Sequence, residues 1–218
     1  MKIFLGTWCG DTQSFLPKFI KIWEQAGLPI NQLKLIALRG DEQYKQGPEH
    51  EELPYDIHRV PTFVFEREGK EIDRIVEHPV SGLEIDIAQI SAGVPSNPSY
   101  NAVTELQSLF KNNSLDSLNS QYKSIARSLF GEASYVGELA IYAKKLHYDG
   151  EIEKAIYVYT LNTALFRYHP YSQYRLGVFK YECEAYKEAQ EYLEKCKSID
   201  PEYLDTNEYL ENIATTEN

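Results

Sequence analysis

Cysteine is scarce in this chain. Cys9, Cys183 and Cys196 are the only three in 218 residues. An odd, widely spaced set does not describe a disulfide framework, so the expected setting is a reducing, cytoplasmic one. No run of about eighteen apolar residues occurs, so no helical membrane span is expected. The apolar opening Met1-Lys2-Ile3-Phe4-Leu5-Gly6 is too short for a secretory leader and flows into the first structural element. Basic charge is in deficit, with 22 Lys and Arg against 33 Asp and Glu and a net charge of −11. That balance argues against partnership with nucleic acid or an anionic membrane, both of which need a basic face. The five histidines are scattered without metal-ligand spacing, so neither a metal nor a cofactor is expected.

What is present is ordinary for a soluble folded protein: 43% hydrophobic and 25% charged residues, enough chain for one large domain or two small ones. The chain is organised around its first residues. Ile3-Phe4-Leu5 reads as a buried strand, and Gly6-Thr7 breaks it. After Trp8-Cys9-Gly10, apolar residues at Phe15, Leu16, Phe19, Ile20 and Trp23 recur at helical spacing, with Gly27 as C-cap and Pro29 as stop. Cys9 therefore belongs at a strand-to-helix turn. There the unpaired amides and the helix dipole favour thiolate over thiol, while the Asp11 carboxylate opposes that effect.

Leu33 to Leu38 reads as a second strand, parallel to the first because a helix intervenes. Arg39 to Pro54 is a polar loop with one short helix. Phe63-Val64-Phe65 and Ile72 to Val76 flank a glycine turn and form a hairpin, and Leu83 to Ile90 is a helix packing back on the sheet. Gly93 to Ser99 is a run of breakers that marks a domain boundary.

Thr7-Trp8-Cys9-Gly10-Asp11-Thr12 resembles the Trp-Cys-x-x-Cys loop of the thioredoxin superfamily. Arg59-Val60-Pro61-Thr62-Phe63 is similar to that family's Val-Pro-Thr segment, and Glu66 to Ile72 to its terminal hairpin. The resemblance covers roughly residues 2 to 92. It implies an α/β thioredoxin-like domain over 1–95, a cis Val60–Pro61 bond beside Cys9, and a Val60 backbone free to pair with an extended peptide. Thioredoxins usually place a strand and a helix ahead of the strand that opens this chain.

Two departures matter. Thr12 stands where the family has its resolving cysteine, and Ile3 where it has a buried carboxylate. The expected sites are Cys9 and Thr12 for chemistry, with Trp8, Gly10, Asp11, Val60 and Pro61 for substrate. Cys9 is a nucleophilic monothiol or a remnant. Thr12 donates a hydrogen bond to the thiolate or merely fills a vacated volume. His58 lies near the proline loop, but with no oxyanion or orienting partner evident, a Cys9–His58 pair for acyl or peptide chemistry is not expected. Cys183 and Cys196 are expected as small buried hydrophobes.

Beyond the boundary the pattern is helical. Residues 96–133 read as a linker with connecting helices, in which Leu115, Leu118, Tyr122, Ile125, Leu129 and Phe130 share a face. Lys154-Ala155 and Glu188-Ala189 are offset by 34 positions, and Leu176-Gly177, Ala189, Leu193, Cys196 and Pro201 match the small-and-large pattern of a tetratricopeptide repeat. In the earlier copy Pro170 is taken as the residue that ends the second helix. Residues 134–218 are thus expected as tetratricopeptide-like hairpins, with Tyr203 to Ile213 as capping helix. The tyrosines of this half line a recognition groove or pack between helices. Two functions compete: thiol-disulfide exchange through Cys9 with an outside thiol such as glutathione, or a redox-inactive module that docks a protein or peptide.

Overall fold

In the computed structural model, which describes residues 1–41, 43–96 and 98–216, the Ile3-Phe4-Leu5 triplet lies in the strand β1 (Lys2–Leu5). Asn97 of the breaker run and the last two residues lie outside the described positions. The chain divides into two compact units, Met1–Tyr100 and Asn101–Asn218.

In the first unit β1 is followed by α1 (Gly10–Gln25), β2 (Lys34–Ala37), β3 (Thr62–Arg67), β4 (Lys70–Val76) and α2 (Leu83–Ser91). The sheet order is β2-β1-β3-β4. β2 runs parallel to β1, as the intervening helix requires, while β3 runs antiparallel to both β1 and β4. Glu68 and Gly69 both take positive φ, the two-residue turn whose twist matches a hairpin. Alternation along the strands splits the core in two. Ile3, Phe63 and Phe65 meet Phe19 of α1 and Leu83 and Ile90 of α2 on one face. Phe4, Ile36 and Val64 meet Ile57 and Val60 of the β2–β3 connection on the other. That connection is irregular, with one 3-10 turn at Leu53–Tyr55. Asp86 folds the approach to α2 by accepting from the Val80 and Ser81 amides at 2.7 and 3.1 Å.

The second unit is helical: α3 (Asn101–Asn112), α4 (Leu115–Ser120), α5 (Tyr122–Ser128), α6 (Gly137–Tyr148), α7 (Ile152–Leu165), α8 (Pro170–Glu182), α9 (Tyr186–Ile199) and α10 (Thr206–Thr216). α6 packs on α7, and α8 on α9. The turns between them match: Gly150 at φ 80° and Glu184 at φ 58° hold the same place, 184 − 150 = 34 positions apart. Ala155 and Ala189 are buried at the same offset. Gly177 marks a close helix approach, since a Cβ there would lie 2.8 Å from Leu193 Cγ.

Four expectations need correction. Pro170 opens α8 instead of closing α7, because a first-turn proline loses no helical hydrogen bond and the His169 Nδ1 accepts the Tyr171 amide. The last helix starts at Thr206, three residues later than Tyr203. Phe130 leaves the shared face and is 76% exposed, since α5 ends at Ser128. Cys183 is exposed in the α8–α9 turn, whereas Cys196 is buried.

The tyrosines mostly pack. Tyr157 donates to the Leu118 carbonyl and Tyr122 to the Thr160 carbonyl, tying α7 to α4 and α5. Burial pushes the Tyr157 phenol up to about 12. Glu138, fully buried in α6, takes the Ala102 and Val103 amides at the start of α3 through Oε1, and the amide and hydroxyl of Ser134 through Oε2. One carboxylate thus satisfies donors of two segments. Glu138→Ala should cost about 3 kcal/mol in urea unfolding, because it leaves buried donors without an acceptor. A loss under about 0.5 kcal/mol would mean water replaces the carboxylate.

Candidate functional site

The turn between β1 and α1 is closed by the Cys9 amide donating to the Gly6 carbonyl at 2.9 Å. Cys9 is the N-cap residue of the 16-residue α1, with extended backbone (φ −93°, ψ 126°), and its side chain caps no amide. Its Sγ donates instead to the Val60 carbonyl at 3.1 Å. The Val60–Pro61 bond is cis. So residues 51 positions apart in sequence are joined at one point: the start of α1 and the entry to β3.

The neighbours fall into two groups. Gly10 and Asp11 form the first turn of α1, with Gly10 exposed and Asp11 half-buried. Thr12 points inward and is buried, and its Oγ1 accepts the Gly6 amide at 3.3 Å. Its oxygen therefore holds the far end of the cysteine turn. Val60 and Pro61 are buried as well. The Val60 carbonyl is taken by Cys9, and that of Pro61 by the Glu77 amide at 2.7 Å. A peptide pairing with Val60 would share or replace the thiol at that carbonyl.

Trp8 is 47% exposed yet fixed. Its Nε1 donates to the Leu38 carbonyl at 3.1 Å. The indole lies on two glycines: a Cβ on Gly6 or on Gly40 would come within 2.7 Å of its Cε2. Gly40 was legible only as a loop breaker; its role as a seat for the indole depends on a contact across 32 positions. Ile3, the departure from the buried carboxylate, is fully enclosed among Phe19, Phe63 and their neighbours.

His58 is buried, with its ring edge-on to Tyr100 at 5.7 Å. Burial holds its imidazole well below the usual 6.5, and the Arg59, Lys45 and Arg74 charges add to the effect. Beside it the Arg59 guanidinium pairs with Glu77 at 3.1 Å and covers the Tyr100 ring at 4.4 Å. Among the described residues no group of three His, Cys, Asp or Glu side chains is arranged to hold a metal ion. Among the same residues no helix is long and apolar enough to cross a membrane.

A thioredoxin H-type protein from Picea mariana is 26% identical over 89 residues, which are 41% of this chain and 64% of that protein. The chain thus matches less than two thirds of that relative's length. No protein-family profile matches. Together with the mixed four-stranded sheet, the similarity fits a thioredoxin-like fold for the first unit.

Two predictions follow from this geometry. Gly40→Ala, in a Trp23→Phe background, should lift the indole off the Leu38 carbonyl. The expected readout is a red-shifted emission and a loss of about 1–3 kcal/mol of stability; unchanged emission would refute the seat. His58 has a depressed folded pKa, so its contribution to stability is full above about pH 6.5 and falls as pH drops below that value. His58→Phe should remove up to about 1.4 kcal/mol per pH unit from the slope of unfolding free energy below pH 6.5. Equal slopes in the two proteins would contradict a neutral buried imidazole.

Proposed function

We propose that the first unit carries out thiol-disulfide exchange through Cys9 alone, with an external thiol such as glutathione completing the cycle. The observation that carries this reading is the half-buried Cys9 at the N-terminus of α1, beside the Val60–Pro61 segment. The similarity to a thioredoxin supports the same scaffold.

In the first step the Cys9 thiolate attacks a substrate disulfide. A Cys9–substrate S–S bond forms, the substrate S–S bond breaks, and the departing sulfur takes a proton from solvent. In the second step the external thiolate attacks the substrate sulfur of that adduct. Cys9 leaves as thiolate, and the substrate fragment ends disulfide-linked to the external thiol. One disulfide is exchanged for another with no net oxidant. Ionisation of Cys9 costs its hydrogen bond to Val60, which frees that carbonyl for a substrate amide in the manner of an added strand. Trp8, Gly10 and Asp11 border the approach, and Thr12 keeps the turn in place through the Gly6 amide. Thr12 supplies no resolving sulfur, so the cycle depends on a second molecule.

We read residues 134–200 as two tetratricopeptide-like hairpins capped by α10, following a thioredoxin-like domain over 1–95 and connecting helices over 96–133. The paired turns and buried alanines at a 34-residue offset support the repeat. The corresponding partners are proteins or peptides in a reducing, cytoplasmic compartment.

Insulin-disulfide reduction tests the catalytic reading. Turnover should require added glutathione and vanish in Cys9→Ser. Thr12→Cys should gain turnover with a dithiol reductant in place of glutathione. Equal rates for the wild type and Cys9→Ser would remove Cys9 from the chemistry.

A further inference from the structure

The second unit carries a groove that the exchange chemistry does not use. α5, the end of α7 and the turn into α8 border a depression of about 640 Å³. Tyr122, Ala126, Phe130, Phe166 and Tyr168 form its apolar wall. Phe130 is 76% and Tyr168 81% exposed, so two large rings stand in water beside one concavity. Single exposed apolar residues are unremarkable, but clustered ones beside a pocket mark a binding surface.

The charged lining of this depression has one sign. Lys123, Arg127 and Arg167 line it, His169 lies beside them, and among the described residues no Asp or Glu lines it. None of these three cations takes part in an ion pair formed among the described residues. Arg167 rests over the Tyr168 ring at 5.8 Å. In a chain with a net charge of −11, this is a local reversal of sign.

The concavity also continues. A second depression shares Tyr122, Lys123 and Arg127 with the first. A third shares Asn119, Tyr122 and Thr160 with the second and ends at Asp116 and Glu153. Tyr122 joins all three, and its hydroxyl is pinned to the Thr160 carbonyl at 3.1 Å. The path therefore runs from a cationic, aromatic end to an acidic one.

We infer that this groove docks an extended peptide segment of another protein, acidic at the α5–α7 end and anchored there by one aromatic or large aliphatic side chain between Phe130 and Tyr168. The charge pattern selects this occupant. Carboxylates beside the anchor meet Lys123, Arg127 and Arg167, which gives attraction and register. A nucleic acid carries a phosphate at every step, and its backbone would run onto Asp116 and Glu153. A peptide can be acidic at one end only. The inference holds whether or not Cys9 turns over.

The test uses the full chain and an array of heptapeptides, each with several glutamates and one aromatic or aliphatic residue at varied spacing, beside glutamine and lysine counterparts. Glutamate peptides should bind and should weaken steeply as salt is raised. The Arg127→Glu, Arg167→Glu double variant and, separately, Tyr168→Ala should each weaken binding about tenfold or more; all three side chains are exposed, so the fold should persist. The inference is overturned if no glutamate peptide binds, if glutamine or lysine peptides bind equally, or if the variants bind as the parent does. It is also overturned if phosphatidylserine vesicles, and no peptide, are captured through the same cations.

Discussion

The register of β3 on β1 fixes the first unit's site, and it brings the Cys9 thiol against the Val60 carbonyl. That contact exists because two loops that are remote in sequence are delivered by adjacent strands. β1 leads into the cysteine turn, and the antiparallel β3 starts directly after the cis Val60–Pro61 bond. Pairing of Phe4 with Thr62 brings the two loops side by side. The two hydrophobic layers then fix the sheet between α1 and α2 on one face and the β2–β3 connection on the other. The thiol's position is thus a consequence of strand register. A slip of one residue in the β1–β3 pairing would turn the core residues to the wrong faces and separate the loops.

The cysteine turn itself is supported by small, local devices. The Gly6 carbonyl accepts the Cys9 amide while the Gly6 amide reaches the buried Thr12 oxygen. On the outer side the Trp8 indole lies on Gly6 and Gly40 and is tied to Leu38. The sulfur is therefore flanked by hydrogen-bonded and packed parts, while the Gly10 side stays open to solvent. The proposed exchange needs access from one direction only, since attack runs along the S–S axis.

The helical unit follows a different logic. Tyrosine hydroxyls tie helices through their carbonyls, the enclosed Glu138 carboxylate takes amides at the start of α3, and apolar residues fill the space between. Phe130, Tyr168 and three cations are left over on its surface.

Strand and helix positions in the first unit were legible because the apolar spacing of Ile3 to Leu5 and Phe15 to Trp23 is dictated by burial. Pro17 lies inside α1, where a proline costs about 3 kcal/mol. Burial of Phe19 and its neighbours on the other face of the helix outweighs that loss, and no local rule reveals it. Long-range contacts were not legible either: Gly40 under Trp8, Glu138 on the start of α3, and the Val60 carbonyl already taken by the sulfur. Pro170 misled because a proline ends one helix and starts another with equal ease. Exposure of Cys183 follows from its place in a turn that composition does not disclose. The direct measurement is peptide mass mapping after the full chain is incubated with oxidised glutathione. An adduct on Cys9, formed ahead of any on exposed Cys183 and released by reduced glutathione, is the expected result. An unmodified Cys9 beside a glutathionylated Cys183 would contradict it.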